Sequence, residues 1–377
     1  MSESLTPFPP SVYQQRLDRA QKLASQAGID ALLIGTGADF AYLTGSWVSS
    51  HERLTVLVIP ADGEVRVVAP GTDKTTLDNS PIPELAVTVV GWNDGEDAHG
   101  MAIEPLSNPS TIAVSGGLSA DHLLAFQGME SMAETRWVLA SEVLSELFTV
   151  KDEAEIEQLS SAGRAIDAVH ARVPGLLRAG RTEAEVAEDI AELILEHHSA
   201  IDFIIVGSGP NGANPHHSYS DRVLSDGDPV VVDIGGTYGA GYHSDCTRTY
   251  VVGGDLSGAP RDFIEAYGHL EQAQSAAREQ ARPGVSAESV DAAARRHLEK
   301  AGYGDWFIHR TGHGIGLSTH EEPFIMLGNT LELAPGMAFS IEPGIYKPGE
   351  WGMRLEDIVV ITDEGYESLN TSPRELR

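Results

Sequence analysis

PVVVDIGGTYGAGYHSDCTRTY, residues 229–250, reads as two β-strands joined by a glycine-rich turn. Its first arm, Pro229 to Ile234, is aliphatic apart from Asp233, and its second carries Thr247, Thr249 and Tyr250 after Asp245. The step of twelve residues between the two acids fits a hairpin that brings both carboxylates towards one place. A lone Asp at a strand end is ordinarily a solvated turn residue. Asp233, however, sits inside an aliphatic run, where an unpaired buried carboxylate is costly.

The arrangement returns nearer the C-terminus, with Glu342 in FSIEPGIY and Glu356 in RLEDIVVIT separated by Pro, Gly and charged residues. Each half of this region therefore offers a hairpin with two acids. At a separation of about 4 Å and an effective dielectric of about 20, each like-charge pair costs roughly 4 kcal/mol. Protons or cations must compensate. The segment HRTGHGIGLSTHE, residues 309–321, supplies imidazoles: His313 among glycines that permit close backbone approach, His309 four residues earlier and His320 seven later. Asp233, Asp245, Glu342, Glu356 and His313 form an oxygen-rich set suited to two divalent cations, Mn²⁺ first, with Co²⁺ or Zn²⁺ as alternatives. The single cysteine, Cys246, excludes a multi-thiolate zinc site and an intrachain disulfide framework. Strand alternation turns it to the face opposite Asp245, as a small packed thiol.

Upstream of the hairpin, Lys151 to Val173 reads as a long amphipathic helix, and Thr182 with Glu185 forms a capping box before a second one. From about Pro260 the order helix, helix, strands recurs. Gly180, Thr182, Val186 and His216 align with Gly284, Ser286, Val290 and His320 at a constant offset of 104 residues. That offset predicts an internal duplication with a site between its halves. The first 150 residues differ in texture: a helix over Tyr13 to Ala27 stopped by Gly28, then short β-branched runs at Ala31–Ile34, Leu54–Ile59, Val65–Ala69, Val87–Val90 and Thr111–Val114. The expected fold class is α/β (α+β) in two domains, 1–150 and 151–377, the second with pseudo-twofold symmetry.

Composition sets limits on partners. With 25 Lys and Arg against 56 Asp and Glu, the formal charge is −31, a field that repels nucleic-acid phosphates and anionic membrane surfaces. A hydrophobic content of 41% is enough for a folded core rather than a disordered chain. The N-terminal MSESLTPFPP lacks a basic-then-apolar leader and no aliphatic run could span a bilayer, so a cytoplasmic location is expected. The sequon Asn370-Thr371-Ser372 is discounted on the same ground.

In their order, the segments PHH, VVVDIGG, SDCTRTY, GHGIG, SIEPGIY and RLEDIVVIT resemble the pita-bread metallopeptidases, the family of methionine aminopeptidase, aminopeptidase P and prolidase. The resemblance covers Lys151 to about Thr362, and the preceding 150 residues look like the creatinase-type N-terminal domain. Methionine aminopeptidases usually lack that domain, which points to the Xaa-Pro branch; creatinase shares the fold but lacks the ligands present here. The resemblance implies that Asp233 holds one metal bidentately, that Asp245 and Glu356 bridge, and that His313 and Glu342 hold the other metal. It further implies a hydroxide between the cations as nucleophile and Glu342 as proton shuttle to the leaving nitrogen. His216 and His320 would be donors to the carbonyl and the tetrahedral intermediate, and His309 would line the proline-side pocket. Arg354, two residues before Glu356, is a candidate partner for a ligand carboxylate and for substrate, His217 is a neighbour of the site, and a homodimer is the expected assembly.

The expected reaction is hydrolysis of the Xaa-Pro bond in dipeptides. Some prolidases place an Arg four residues after the histidine equivalent to His320, where it pairs with the dipeptide carboxylate; this chain has Phe324 there. A cation must then come from elsewhere, and the stretch YLTGSWVSSHER, residues 42–53, offers His51 and Arg53. Phe324 favours the alternative of an aminopeptidase P that acts on longer Xaa-Pro peptides. A third alternative, a pita-bread binding module without catalysis, is disfavoured because such proteins generally lose the metal ligands.

Overall fold

In the computed structural model, which describes residues 5–49 and 51–377, the chain divides into the unit Thr6–Phe148 and a second unit of Thr149–Arg377 together with Leu5. Residues 1–4 of the segment read for a leader, and Ser50 of the 42–53 stretch, lie outside the described residues.

The N-terminal unit opens with a helix over Pro10–Gln26, whose Leu17, Ala20 and Ala24 face inward and which ends just before Gly28 in the left-handed region, φ 68°. Six strands follow: β1 (Ala31–Gly35), β2 (Val56–Pro60), β3 (Val65–Pro70), β4 (Val87–Trp92), β5 (Thr111–Val114) and β6 (Arg136–Leu139). They form one sheet in the order β4-β3-β2-β1-β5-β6, antiparallel at β1–β2 and β2–β3 and parallel elsewhere. The central β1 and β2 are buried throughout, which explains their unbroken aliphatic sequence. Edge strand β6 is short and half-exposed, so RWVL carries little strand signal.

The second unit repeats one plan. Helices Glu153–His170 and Glu183–Ile194, each started by a capping box (Asp152 with Glu155, Thr182 with Glu185), pack on a sheet of order β10-β8-β7. Its strands are β7 (Ala200–Ser208), β8 (Pro229–Tyr238) and β10 (Cys246–Val251), with the two-residue β9 (Tyr242–His243) paired to β8. Helices Arg261–Gln280 and Ala287–Lys300 then precede a sheet of order β12-β11-β13-β16-β17. Its members are β11 (Gly312–Gly314), β12 (Glu321–Ile325), β13 (Ala338–Ile341), β16 (Asp357–Ile361) and β17 (Tyr366–Ser368), while β14 (Gly344–Lys347) and β15 (Trp351–Arg354) form a separate hairpin.

Each helix pair buries one face of its sheet. Ile166, Val186 and Ile190 pack with Val230, Val232, Ile234 and Cys246, and Leu270, Val290 and Leu298 share a core with Phe339, Ile341 and Val359. Period-2 alternation turns Asp233 and Thr247 to the opposite face, away from the helices. No helix among the described residues is long and apolar enough to cross a membrane.

Candidate metal centre

Strand register sets the acids side by side. Thr247 pairs with Asp233 and Cys246 with Ile234, while His243 pairs with Thr237 in the same register, so Asp245 falls opposite Gly235, two residues from Asp233 on one face. A side chain at Gly235 would not fit: its Cβ would lie 2.5 Å from the Ser244 carbonyl and 2.6 Å from the Phe203 ring. In the second half Ile341 pairs with Asp357 and Gly344 with Arg354, which places Glu342 opposite Glu356. Both hairpins thus present their two carboxylates as direct or diagonal cross-strand neighbours.

His313, on β11, joins the two sets. Its Nε2 lies 3.1 Å from Glu342 Oε1 and 3.7 Å from Asp245 Oδ2. One donor atom each from Asp245, His313 and Glu356 lies within 4.8 Å of the others, and all three residues are buried. Two further observations fit a cation. Asp233 Oδ1 and Glu356 Oε1 are buried without a hydrogen-bond partner among the described residues. Burial first, then the charges of its neighbours, pushes Asp245 well above the usual carboxylate range; Glu356 is pushed up the same way, and burial raises Asp233 against the pull of Arg354. Burial also works to raise Glu342, but hydrogen bonding and charge from His313, with His309 and Arg354, bring it down to about 2. Three crowded acids that resist ionisation, with orphaned oxygens among them, are what a divalent cation would relieve. An all-oxygen and imidazole donor set matches Mn²⁺, Co²⁺ or Zn²⁺ chemistry.

Around the acids stands a shell that the sequence reading largely missed. Arg354 donates to Asp233 through Nη2, to the Tyr346 hydroxyl through Nη1 at 2.8 Å and to Thr247 Oγ1 through Nε at 3.1 Å. Its Nη1 also lies 3.4 Å from the Pro215 carbonyl, and the side chain lines the cleft beside Asp233. Thr247 Oγ1 donates to Glu356 Oε2 at 2.7 Å, and Ser340 Oγ donates to Glu342 Oε1 at 2.9 Å while accepting from the His313 N–H at 3.0 Å. Thr247 could have been found from its place two residues after Asp245; Tyr346 carried no signal of its own.

A cleft of about 1350 Å³ opens beside these groups, lined among others by Asp233, Asp245, His313, Glu342, His216 and His320. The rings of His313 and His320 are 3.9 Å apart between centroids. Burial, then the nearby His313 and Arg310, depresses His320 to about 4, leaving a neutral imidazole with one N–H donor at neutral pH. His309 also lines the cleft and meets the Tyr346 hydroxyl through Nε2 at 2.9 Å; burial lowers its pKa. His217 points elsewhere: its Nε2 is 2.8 Å from buried Glu183, which also accepts from Ser208, Asn211 and Ser220 and so anchors the loop that carries His216. Cys246 packs in the helix-side core, where burial pushes its thiol up. His51 and Arg53 belong to the N-terminal unit, where His51 is exposed and Arg53 Nη2 lies 2.8 Å from Asp94.

Comparison with known proteins gives the family. Residues 157–363 match metallopeptidase family M24 and residues 16–147 match the creatinase/prolidase N-terminal domain. The probable dipeptidase PepE of Mycobacterium tuberculosis is 52% identical over 98% of this chain and 97% of its own length. The Xaa-Pro dipeptidase of Lactobacillus helveticus is 34% identical over 96% of this chain and 98% of its own. The crystal structure of dipeptidase PepE from Mycobacterium ulcerans superposes with a TM-score of 0.93 at 51% identity, covering 98% of both chains. On the strength of these matches, the chain belongs to metallopeptidase family M24, with the creatinase/prolidase domain at its N-terminus.

Proposed function

We propose that the protein is a two-metal Xaa-Pro dipeptidase that hydrolyses the Xaa-Pro bond of dipeptides. The observation that carries this reading is the convergence of four carboxylates and His313 beside a cleft, with two buried carboxylate oxygens left without a partner. Dipeptidase relatives over the full chain support it.

Asp233, Asp245, His313, Glu342 and Glu356 would hold two divalent ions, Mn²⁺ by preference with Co²⁺ or Zn²⁺ as alternatives. When bound, such ions polarise the scissile carbonyl and make water available as a nucleophile near neutral pH. Glu342, with one oxygen on His313 and Ser340 and lining the cleft, would take a proton and pass it to the leaving imino nitrogen. His320 and His216 line the same cleft and would donate to the oxygen on which charge develops, where prearranged donors stabilise most. His309, fixed by Tyr346, forms part of the wall for the proline ring. Arg354 and Thr247 keep Asp233 and Glu356 aimed.

The test is turnover of Ala-Pro, Ala-Pro-Ala and Ala-Ala by chelator-stripped protein reloaded with Mn²⁺, Co²⁺ or Zn²⁺. The expected result is metal-dependent cleavage of Ala-Pro above the other two. Cleavage of Ala-Pro-Ala alone would replace the dipeptidase reading with the aminopeptidase P reading that Phe324 favours, and equal cleavage of Ala-Ala would remove proline specificity.

A further inference from the structure

A dipeptide brings its own carboxylate into a cleft that is already rich in acids, on a chain with a formal charge of −31. Among the described residues, two guanidinium groups line that cleft, those of Arg354 and Arg310. Arg354 is buried and donates to Asp233, Tyr346, Thr247 and the Pro215 carbonyl. Arg310 is half-buried and has no carboxylate partner among the described residues. Its guanidinium carbon lies 4.5 Å from the centroid of the Phe324 ring. The two residues are held together by the main chain: the Thr311 N–H donates to the Ile325 carbonyl at 3.0 Å and Gly312 pairs with Ile325.

From this juxtaposition we propose that Arg310, steadied by Phe324, binds the terminal carboxylate of the dipeptide, the role for which the sequence offered His51 and Arg53. The inference rests on the dipeptidase reading above and adds the residue that limits substrate length. A guanidinium held over an aromatic ring gains a cation–π attraction, and its fork of N–H groups matches a carboxylate in a bidentate pair. A lysine at this position would lose both the stacking geometry and the fork. Arg310 lines the same cleft as His216 and His320, so the carboxylate subsite adjoins the donors proposed for the scissile carbonyl. A longer peptide, whose proline carbonyl continues as an amide, offers Arg310 no charge to pair with.

The experiment compares kcat/KM for Ala-Pro and for Ala-prolinamide in the Mn²⁺-loaded wild type and in Arg310→Gln, Arg310→Lys, Phe324→Leu and Arg53→Ala. It also includes equilibrium binding of proline and prolinamide by calorimetry. Loss of a charge-assisted pair predicts that the Ala-Pro to Ala-prolinamide ratio falls about 10- to 100-fold in Arg310→Gln, with proline binding weakened in step. Arg310→Lys and Phe324→Leu fall between, and Arg53→Ala stays with the wild type. A wild-type ratio near one overturns the proposal. So does an Arg310→Gln ratio within about threefold of wild type, or a collapse confined to Arg53→Ala. If the wild type cleaves Ala-Pro in each of these cases, the dipeptidase reading survives and only the assignment of Arg310 fails. A wild type that cleaves neither substrate removes both.

Discussion

Replacing Thr247 by Val tests whether the shell around the acids sets metal affinity. Thr247 is fully buried opposite Asp233, accepts from Arg354 Nε at 3.1 Å and donates to Glu356 Oε2 at 2.7 Å. Glu356 Oε1 has no partner among the described residues, so the Thr247 hydroxyl is what orients this carboxylate before a cation arrives. Valine keeps the shape and leaves the formal charge of the site unchanged, which removes long-range Coulomb effects from the comparison. A hydrogen bond to a charged, buried group is worth about 1.5–3 kcal/mol. Groups of this kind behind a metal ligand typically carry about 10- to 100-fold in affinity. The two estimates agree, since about 1.4 kcal/mol corresponds to a factor of ten. Calorimetric titration of Mn²⁺ into chelator-stripped protein should show Thr247→Val weakened by about one to two orders of magnitude, and Thr247→Ser, which keeps the hydroxyl, within about threefold of wild type. A folded Thr247→Val that binds Mn²⁺ within about twofold of wild type would refute the positioning role.

Burial and the neighbouring acids push Asp245 and Glu356 well above the usual carboxylate range, so a cation that binds them competes with protons. Mn²⁺ affinity should therefore rise with pH, and the binding enthalpy should vary with the ionisation enthalpy of the buffer in the sense of proton release; a buffer-independent enthalpy would contradict this. Burial raises Glu183, but hydrogen bonds from Ser208, Ser220 and His217 outweigh it and leave a depressed pKa. Its stabilisation is then fully present above its ordinary value of 4.5 and is lost as pH falls through the lowered folded-state value. Glu183→Gln should cost about 1–3 kcal/mol in urea unfolding at pH 7, with the gap to wild type closing in acid; a pH-independent gap would show that the charge is not responsible.

The sequence by itself determined which residue types could do the chemistry and where they lay along the chain. The acids of PVVVDIGG, HSDCTRTY, SIEPGIY and RLEDIVVIT were legible because strands alternate with period 2 and an acid in an aliphatic run is conspicuous. The repeated helix, helix, strands order was legible from capping residues and apolar spacing, and His313 stood out among its glycines. Tertiary structure alone decided what these groups touch. Glu342 opposite Glu356 is a matter of register, which holds through a break at Pro343 and Leu355 that no periodicity reveals. His216 and His217 are adjacent and identical in sequence, yet the first lines the cleft and the second is tied to Glu183 on a helix N-terminus. Arg310 and Phe324 are fourteen residues apart in the sequence and meet only because the segments on either side of β11 and β12 are hydrogen-bonded. Charge and polarity are properties of a residue and can be read one position at a time. Partnership depends on distance and desolvation, and these exist only once the chain has folded.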